Sequence, residues 1–117
     1  MQRTIKFRAW DKTLNKIHSW SIIENHFTFE ELLDDNFFEA MQYTGLKDKN
    51  GVEIYEGDIL SYFGFEYEVT FEESAFGWSE DGQFYAFAEM AIDEIEKTKN
   101  IGNIYENTEL VKKRLTN

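Results

Sequence analysis

Residues 41–60 have the sequence MQYTGLKDKNGVEIYEGDIL, and this stretch decides the fold of the chain. Two strand-like runs, 41–44 and 52–55, are separated by a polar segment that ends in Asn50 and Gly51. Both residue types tolerate a positive φ at little steric cost, so Asn-Gly between apolar runs is a strong hairpin signal. The stretch therefore predicts a central β-hairpin.

A second turn is predicted where Gly57 and Asp58 precede the apolar pair Ile59 and Leu60. Gly and Asp favour turns for different reasons, since Gly supplies unusual backbone angles and Asp bonds to nearby backbone N–H groups. By analogy, this pattern is similar to the start of the second strand in an SH3-like barrel. We interpret residues 41–60 as scaffold, because nothing in them indicates a reaction.

The N-terminal part predicts a hairpin followed by a short helix. Residues 4–10 alternate between apolar and polar side chains, as in a half-buried strand, and 17–23 is the expected partner strand. Thr28 and Glu31 have the spacing of a capping box, in which each side chain bonds a backbone N–H group of the other residue. We therefore predict a helix over residues 29–35.

Further short strands are predicted along the rest of the chain. The most regular alternation lies in residues 65–72, where one face should be apolar and the other should carry glutamates. Residues 89–99 fit neither the helical nor the strand period and predict a helical turn followed by irregular chain. The other expected strands are 59–63, 75–79, 83–88 and 101–105.

These elements predict a mostly β fold. It should be a small SH3-like barrel or a curled antiparallel sheet, with an N-terminal hairpin and two short helices. A chain of 117 residues is enough for one hydrophobic core, so we predict a single domain over 1–117. Its expected parts are the hairpin and helix over about 1–38, a barrel-like part over about 39–106 and a C-terminal helix over about 107–116, capped by Asn107.

The composition excludes several classes of site and location. The chain has no Cys, which excludes disulfides, thiolate metal sites and cysteine nucleophiles. No apolar run approaches the roughly 20 residues needed to span a bilayer. The N-terminus lacks the apolar region of a signal peptide. We therefore expect a cytoplasmic protein that does not engage a membrane.

Charge is distributed unevenly along the chain, whose formal net charge is −11. Residues 1–16 carry five basic side chains and one acidic side chain, whereas residues 50–96 carry thirteen acidic side chains and no basic one. Phosphate backbones repel such a segment, so we expect no direct nucleic-acid binding through it. The segment either forms a solvated surface or attracts a basic partner.

Patterns typical of metal sites and active sites are absent from the sequence. His18 and His26 are the only histidines, and their spacing is not that of a zinc site. Asp48, Asn50 and Gly51 resemble the start of a calcium loop but lack its third oxygen ligand and its final glutamate. No nucleophile-elbow, P-loop or dinucleotide-binding motif occurs. We expect no catalytic residues, no metal and no cofactor.

One aromatic cluster, Phe76-Gly77-Trp78, lies between two acidic turns. Trp is frequent among interface hot spots, and charges at an interface rim speed the encounter with a partner. Packing of Phe76 or Trp78 in the core is the favoured interpretation, and a partner-binding role is the alternative. The candidate partner-binding residues are Glu66, Glu68, Glu72, Trp78, Glu80 and Asp81, and the expected structural turn residues are Asn50, Gly51, Gly57 and Asp58.

Three blocks of sequence carry a family resemblance. They are residues 6–11 (KFRAWD), residues 41–59, and residues 101–107 (IGNIYEN) with Glu109 and Leu110 beyond them. In this order and at these separations, they resemble the YopX-like family of phage and prophage proteins. Thr108 stands where the family commonly has Pro, but Thr also opens helices.

The resemblance implies a phage or prophage origin, a bacterial host cytoplasm and a largely β, SH3-like-barrel domain. It implies no chemistry and no site residues. Our hypothesis is a non-enzymatic accessory protein that binds a host or phage protein, one that could carry a basic surface. The alternatives are an acidic nucleic-acid mimic that occupies a DNA-binding protein, and a small hydrolase or nuclease.

Overall fold

The structure is a computed structural model in which residues 4–110 are described. The fold is mostly β, with curled antiparallel sheets, an N-terminal strand hairpin and four short helices instead of the predicted two. The predicted fold class is therefore confirmed. The chain divides into two compact units, Met1–Tyr43 and Thr44–Asn117.

Ten strands and four short helices lie between Phe7 and Asn103. The strands are β1 (Phe7–Asp11), β2 (Lys16–His18), β3 (Phe38–Lys47), β4 (Glu53–Tyr55), β5 (Asp58–Tyr62), β6 (Phe65–Glu68), β7 (Thr70–Glu72), β8 (Ala75–Glu80), β9 (Gln83–Ala86) and β10 (Lys99–Asn103). The helices are α1 (Trp20–His26), α2 (Phe29–Leu32), a 3-10 helix (Phe87–Glu89) and α3 (Ile92–Ile95).

The N-terminal unit contains the predicted hairpin, since β1 pairs antiparallel with β2 and also with the first half of β3. The partner strand is shorter than predicted, because it ends at His18 and a helix starts at Trp20. Helical spacing brings Trp20 and Ile23 to the same side of α1. Ile23 is buried in the small core of this unit, and Trp20 packs against that core.

The capping box at the start of α2 is confirmed. The Thr28 Oγ1 atom accepts a hydrogen bond from the Glu31 N–H at 3.1 Å, and the Thr28 N–H donates to Glu31 Oε1 at 3.0 Å. The helix ends at Leu32, earlier than the predicted residue 35. Asp34 explains the early end, because its side chain accepts from the Asn36 N–H and favours a turn over continued helix.

The C-terminal unit holds two three-stranded sheets, in the orders β10-β5-β6 and β7-β8-β9. The continuous strand predicted over residues 65–72 is divided at Val69, so that β6 pairs with β5 and β7 pairs with β8. The Val69 N–H donates to the Asp58 carbonyl, and the Val69 carbonyl accepts from the Gly57 N–H, both at 2.8 Å. These two bonds hold the point where the chain changes partner strands.

Three two-residue turns connect successive strands of this unit. They are Phe63-Gly64 between β5 and β6, Glu73-Ser74 between β7 and β8, and Asp81-Gly82 between β8 and β9. Both residues of each turn have a positive φ, between 48° and 83°. This geometry matches the right-handed twist of the strands it joins, which explains how such short connections are accommodated.

The last part of the chain differs from prediction by small shifts. The helical turn expected in residues 89–99 is present as α3, and the last strand is Lys99–Asn103 instead of 101–105. The Asn103 Oδ1 atom accepts from the backbone N–H groups of Tyr105 and Glu106, which turns the chain out of β10. Residues 108–110 are helical, and the rest of the predicted C-terminal helix lies outside the described residues.

The central hairpin joins β3 and β4, which are neighbours in one sheet. Gly51 has a φ of 78° and Gly57 a φ of 88°, whereas Asn50 is not among the described residues with a positive φ. The Asp48 Oδ1 atom accepts from the N–H groups of Asn50 at 2.8 Å and Val52 at 2.9 Å. The turn is therefore organised by the Asp48 carboxylate as well as by Gly51.

Replacement of Gly51 by Val should lower the free energy of unfolding by about 1–2 kcal/mol, because a β-branched residue is strained at a positive φ. An added Cβ meets no heavy atom within 4 Å, so the backbone angle alone should cause the loss. Urea denaturation of the purified variant measures it. Gly51→Asn is the matched control, since Asn tolerates this region, and an unchanged midpoint for Gly51→Val would contradict the prediction.

Candidate functional surface

The structure places Trp78 in the core of the C-terminal unit, where its exposed fraction is 5%. Its ring stacks on Tyr67 with a centroid distance of 4.4 Å and meets the Phe87 ring edge to face at 5.6 Å. A side chain enclosed in this way cannot also anchor a partner on the surface. The candidate role of Trp78 as an exposed anchor is therefore wrong, and the favoured interpretation of core packing is correct.

The five predicted carboxylates are distributed over three strands and one turn. Glu66 and Glu68 are half-buried on β6, and Glu72 is exposed on β7. Glu80 at the end of β8 and Asp81 in the following turn are also exposed. Because the chain changes sheets at Val69, the glutamates of β6 and the glutamate of β7 do not follow one continuous strand.

Glu72 and Glu80 bind different neighbours. Glu72 Oε2 accepts from Thr70 Oγ1 at 2.9 Å and from Ser79 Oγ at 3.3 Å, whereas Glu80 Oε1 accepts from the Tyr67 hydroxyl at 3.3 Å. Ser79 and Glu80 are successive residues of β8, so their side chains leave opposite faces of the strand. The acidic residues therefore occupy two faces of this sheet instead of one.

The pKa of the Tyr67 hydroxyl is raised by burial and by the negative charge near the end of β8. Burial raises the pKa of Tyr67, and the Glu80 carboxylate raises it further through its charge and its hydrogen bond. The charge of Asp81 acts in the same direction. Each of these effects favours the neutral phenol, so Tyr67 remains a hydrogen-bond donor at neutral pH.

All the exposed acidic residues of the segment 50–96 lie within residues 72–96. Of the acidic residues in 50–96, Asp58 is buried at 1% exposure and serves the fold. The exposed acidic residues of this segment are Glu72, Glu73, Glu80, Asp81, Glu89, Asp93 and Glu96. They lie in or next to two of the tight turns, the 3-10 helix and α3, so the exposed negative charge of the segment 50–96 comes from residues 72–96.

A buried polar network holds the central turn and was not foreseen from the sequence. Asn100 of β10 donates from its backbone N–H to Asp48 Oδ2 and from its side-chain amide to Asp58 Oδ2, both at 2.8 Å. Asp58 Oδ2 also accepts from the Tyr55 N–H at 2.7 Å. The predicted turn residue Asp58 thus links the turn after β4 to strand β10 through its side chain.

A second buried polar pair lies in the N-terminal unit. His18 Nε2 and Asp11 Oδ2 are 2.8 Å apart, and their residues are 8% and 7% exposed. Asp11 Oδ1 also accepts from the N–H groups of Thr13 and Leu14, both at 2.9 Å. All these contacts close the β1–β2 hairpin, so we interpret the pair as structural.

Because of these contacts, we expect the stability of the protein to depend on the ionisation of Asp11. The hydrogen bond from His18 holds the pKa of Asp11 below its ordinary value, with the Leu14 and Thr13 N–H groups adding to this and burial opposing it. A lowered folded-state pKa contributes stability above the unfolded value of about 3.9, and this stability is lost as the pH falls through the folded value. The thermal midpoint should therefore drop below about pH 4.

Asp11→Asn tests this pH dependence. The substitution removes the titrating carboxyl, so the part of the acid-induced drop that Asp11 causes should be absent from the variant. Asp35→Asn, at an exposed position of the same unit, is the control. Parallel midpoint curves for the wild type and Asp11→Asn between pH 7 and pH 3 would contradict the assignment.

A cleft of about 550 Å³ opens in the C-terminal unit between the start of β8, β3 and the segment that contains the 3-10 helix and α3. This volume lies in the range of sites that bind small ligands or peptide side chains. None of the predicted partner-binding residues lines it. Its apolar lining residues include Leu46, Phe76, Phe87, Met90, Ile92 and Ile95.

Within residues 4–110, no group of three or more His, Asp or Glu side chains is arranged to hold a metal ion. In the same part of the chain, none of the helices combines the length and the apolar character needed to cross a membrane. The candidate surfaces of the described residues are thus the exposed acidic residues and the cleft.

Comparison with known proteins places the chain in a family. Its sequence matches the family described as YopX protein over residues 6–112. No curated protein sequence matches it significantly. Among solved structures, it is similar to protein EF1440 from Enterococcus faecalis, with a TM-score of 0.58 and 26% sequence identity over 94% of this chain and 99% of that chain. Since the family match covers nearly the whole sequence, the chain belongs to the YopX family.

Proposed function

We propose that the chain is a non-enzymatic accessory protein of a phage or prophage, which acts in the bacterial cytoplasm by binding a host or phage protein with a basic surface. The observation that carries the proposal is the charge of residues 50–96, with thirteen acidic side chains and no basic one. Concentrated charge of one sign speeds encounter with a surface of opposite sign. The exposure of seven of these side chains supports the proposal.

An affinity pull-down from host lysate at low and at high salt tests the proposal. A specific protein should be captured at low salt and released in part at high salt, because salt screens exposed charges over about 8–10 Å. Loss of all specific capture at both salt concentrations would contradict the proposal. If DNA competes the captured protein away and that protein binds DNA, the acidic mimic is the better description.

A charge variant tests which residues attract the partner. Changing Glu72 and Glu80 to Gln and Asp81 to Asn should slow association roughly tenfold at low salt, since rim charges act mainly on the association rate. The three side chains are exposed, so the fold should be retained. A variant with the same loss of charge in the N-terminal unit, Glu24→Gln with Glu30→Gln and Asp35→Asn, is the matched control.

The absence of enzymatic activity is tested directly. Purified protein with Mg²⁺, Mn²⁺ or Zn²⁺ should cleave neither nucleic acid nor ester substrates. A hydrolase needs a nucleophile or a pair of carboxylates with separated pKa values in a cleft. Metal-dependent turnover that disappears in a carboxylate variant would support the hydrolase or nuclease alternative instead.

A further inference from the structure

The cleft of the C-terminal unit leads from the core to the surface. Phe87 and Ile95 form its buried part, with exposed fractions of 6% and 1%. Ile92 is 63% exposed and Ala88 is also exposed, and both line the same cleft. Exposed apolar side chains around a concave site are typical of a surface that another molecule covers.

The charged residues next to the cleft's lining residues in the sequence are mostly acidic. Glu73 precedes the lining residue Ser74, Glu89 lies between Ala88 and Met90, and Asp93 follows Ile92. All three carboxylates belong to exposed residues. On the β3 side, Lys47 follows Leu46 and is the one basic residue next to a lining residue in the sequence. The start of β8 and the segment with the 3-10 helix and α3 thus combine apolar lining residues with acidic neighbours in the sequence.

We propose that this cleft binds a peptide segment of the partner protein that presents apolar side chains between Lys or Arg residues. This inference rests on the proposed function and adds the place and the chemistry of the contact. The apolar side chains would fill the cleft, and the basic residues would meet Glu73, Glu89 and Asp93. An acidic segment would be repelled, and an uncharged one would leave the three carboxylates without partners.

The cleft supplies the apolar anchor that Trp78 cannot provide. Charge alone gives fast but weak association, whereas burial of apolar groups in a desolvated pocket slows dissociation. Phe76, two residues before Trp78, lines the cleft and packs against the same core. The acidic residues would therefore govern the association rate, and the cleft would govern the lifetime of the complex.

Three synthetic peptides labelled with fluorescein test the proposal by fluorescence polarisation. The first has a Leu-Phe pair between Lys-Lys pairs, the second has Leu-Phe between Asp-Asp pairs, and the third has Gly-Gly between Lys-Lys pairs. We expect the first to bind at least tenfold more tightly than the other two. Equal binding of the Lys- and Asp-flanked peptides would show an unselective apolar site and overturn the proposal.

Substitutions at the cleft locate the binding. Ala88→Trp fills the cleft at an exposed position and should weaken binding of the first peptide at least tenfold, whereas Gln83→Trp, on the exposed end of β9, should not. Ile92→Lys is a second variant at an exposed site, and it should repel the same peptide. Full affinity in both cleft variants would overturn the proposal.

The charge contribution is tested separately. Glu73→Gln, Glu89→Gln and Asp93→Asn together should weaken the binding of the first peptide and reduce the salt dependence of that binding.

Self-association of the protein is a further outcome of the test. If sedimentation shows a dimer that Ala88→Trp dissociates, and the peptide does not bind, the cleft binds a second copy of the chain and the proposal fails. If a lysate protein is captured equally by wild type and Ala88→Trp, the proposed function stands and this site does not.

Discussion

Trp78→Ala should lower the free energy of unfolding by about 3–5 kcal/mol, the usual cost of removing a buried aromatic side chain from a packed core. Trp78 is 5% exposed and contacts the rings of Tyr67, Phe87 and Tyr62. The substitution leaves a cavity that these rings can fill only in part. A loss of this size is a large fraction of the stability of a small domain, so the variant should be largely unfolded at moderate urea concentration.

Phe65→Ala is the matched control for Trp78→Ala. Phe65 is also an aromatic residue of the C-terminal unit, but it is 67% exposed. Its replacement should change the free energy of unfolding by roughly 0.5 kcal/mol or less. Similar denaturation midpoints for Trp78→Ala and the wild type would show that Trp78 is not part of the core, and the surface role would then have to be reconsidered.

The burial of Trp78 between two acidic turns has a physical explanation in the length of those turns. Acidic residues lie on both sides of Phe76-Gly77-Trp78 in the sequence, which suggested an exposed cluster. The turns Glu73-Ser74 and Asp81-Gly82 have only two residues each, so the whole of β8 between them can pair with β7 and β9 as a regular strand. In such a strand, alternation alone decides burial, and it directs Trp78 inward.

Gly77 adds a signal that sequence reasoning did not use. A Cβ atom on Gly77 would lie 2.1 Å from the Tyr85 carbonyl oxygen, which belongs to the neighbouring strand β9. A glycine within a strand often marks a close approach of another backbone. Applied to the strand predicted over 75–79, this rule favours a packed central strand over an exposed edge strand.

Structural features that depend on residues close together in the sequence were predictable, whereas contacts between residues far apart in the sequence were not. The capping box of Thr28 and Glu31 and the hairpin at Gly51 depend on residues a few positions apart. By contrast, the hydrogen bond from the Asn100 N–H to Asp48 joins residues 52 positions apart. The periodicity of apolar and polar residues in a single sequence does not indicate such a contact. The cleft is equally hidden, because its lining comes from β3, β8 and the segment around α3.

Asp48→Ala should also be strongly destabilising, by about 3 kcal/mol, because it removes the charged acceptor of three backbone hydrogen bonds, and a hydrogen bond to a charged group contributes roughly 1.5–3 kcal/mol. The carboxylate accepts from the backbone N–H groups of Asn50, Val52 and Asn100. Asp48 is 5% exposed, so water can replace only part of these contacts. Urea denaturation at pH 7 measures the loss, and Asp93→Ala, at an exposed position of the same unit, is the control.

The stability that the Asp48 carboxylate contributes should also depend on pH. Burial alone would raise the pKa of Asp48, but the N–H groups of Asn100, Val52 and Asn50, with the charge of Lys49, outweigh burial and hold the pKa below its ordinary value. The stability that ionised Asp48 contributes is therefore present above the unfolded pKa of about 3.9 and is lost as the pH falls through the lower folded value.

It follows that the difference in unfolding free energy between wild type and Asp48→Ala should shrink in acid. At pH 7 the ionised carboxylate holds three backbone N–H groups. Once it is protonated, part of its capacity to accept hydrogen bonds is lost in the wild type as well. A difference of the same size at pH 7 and pH 3 would mean that the side chain stabilises the turn by packing alone, and the assigned role of the carboxylate would be wrong.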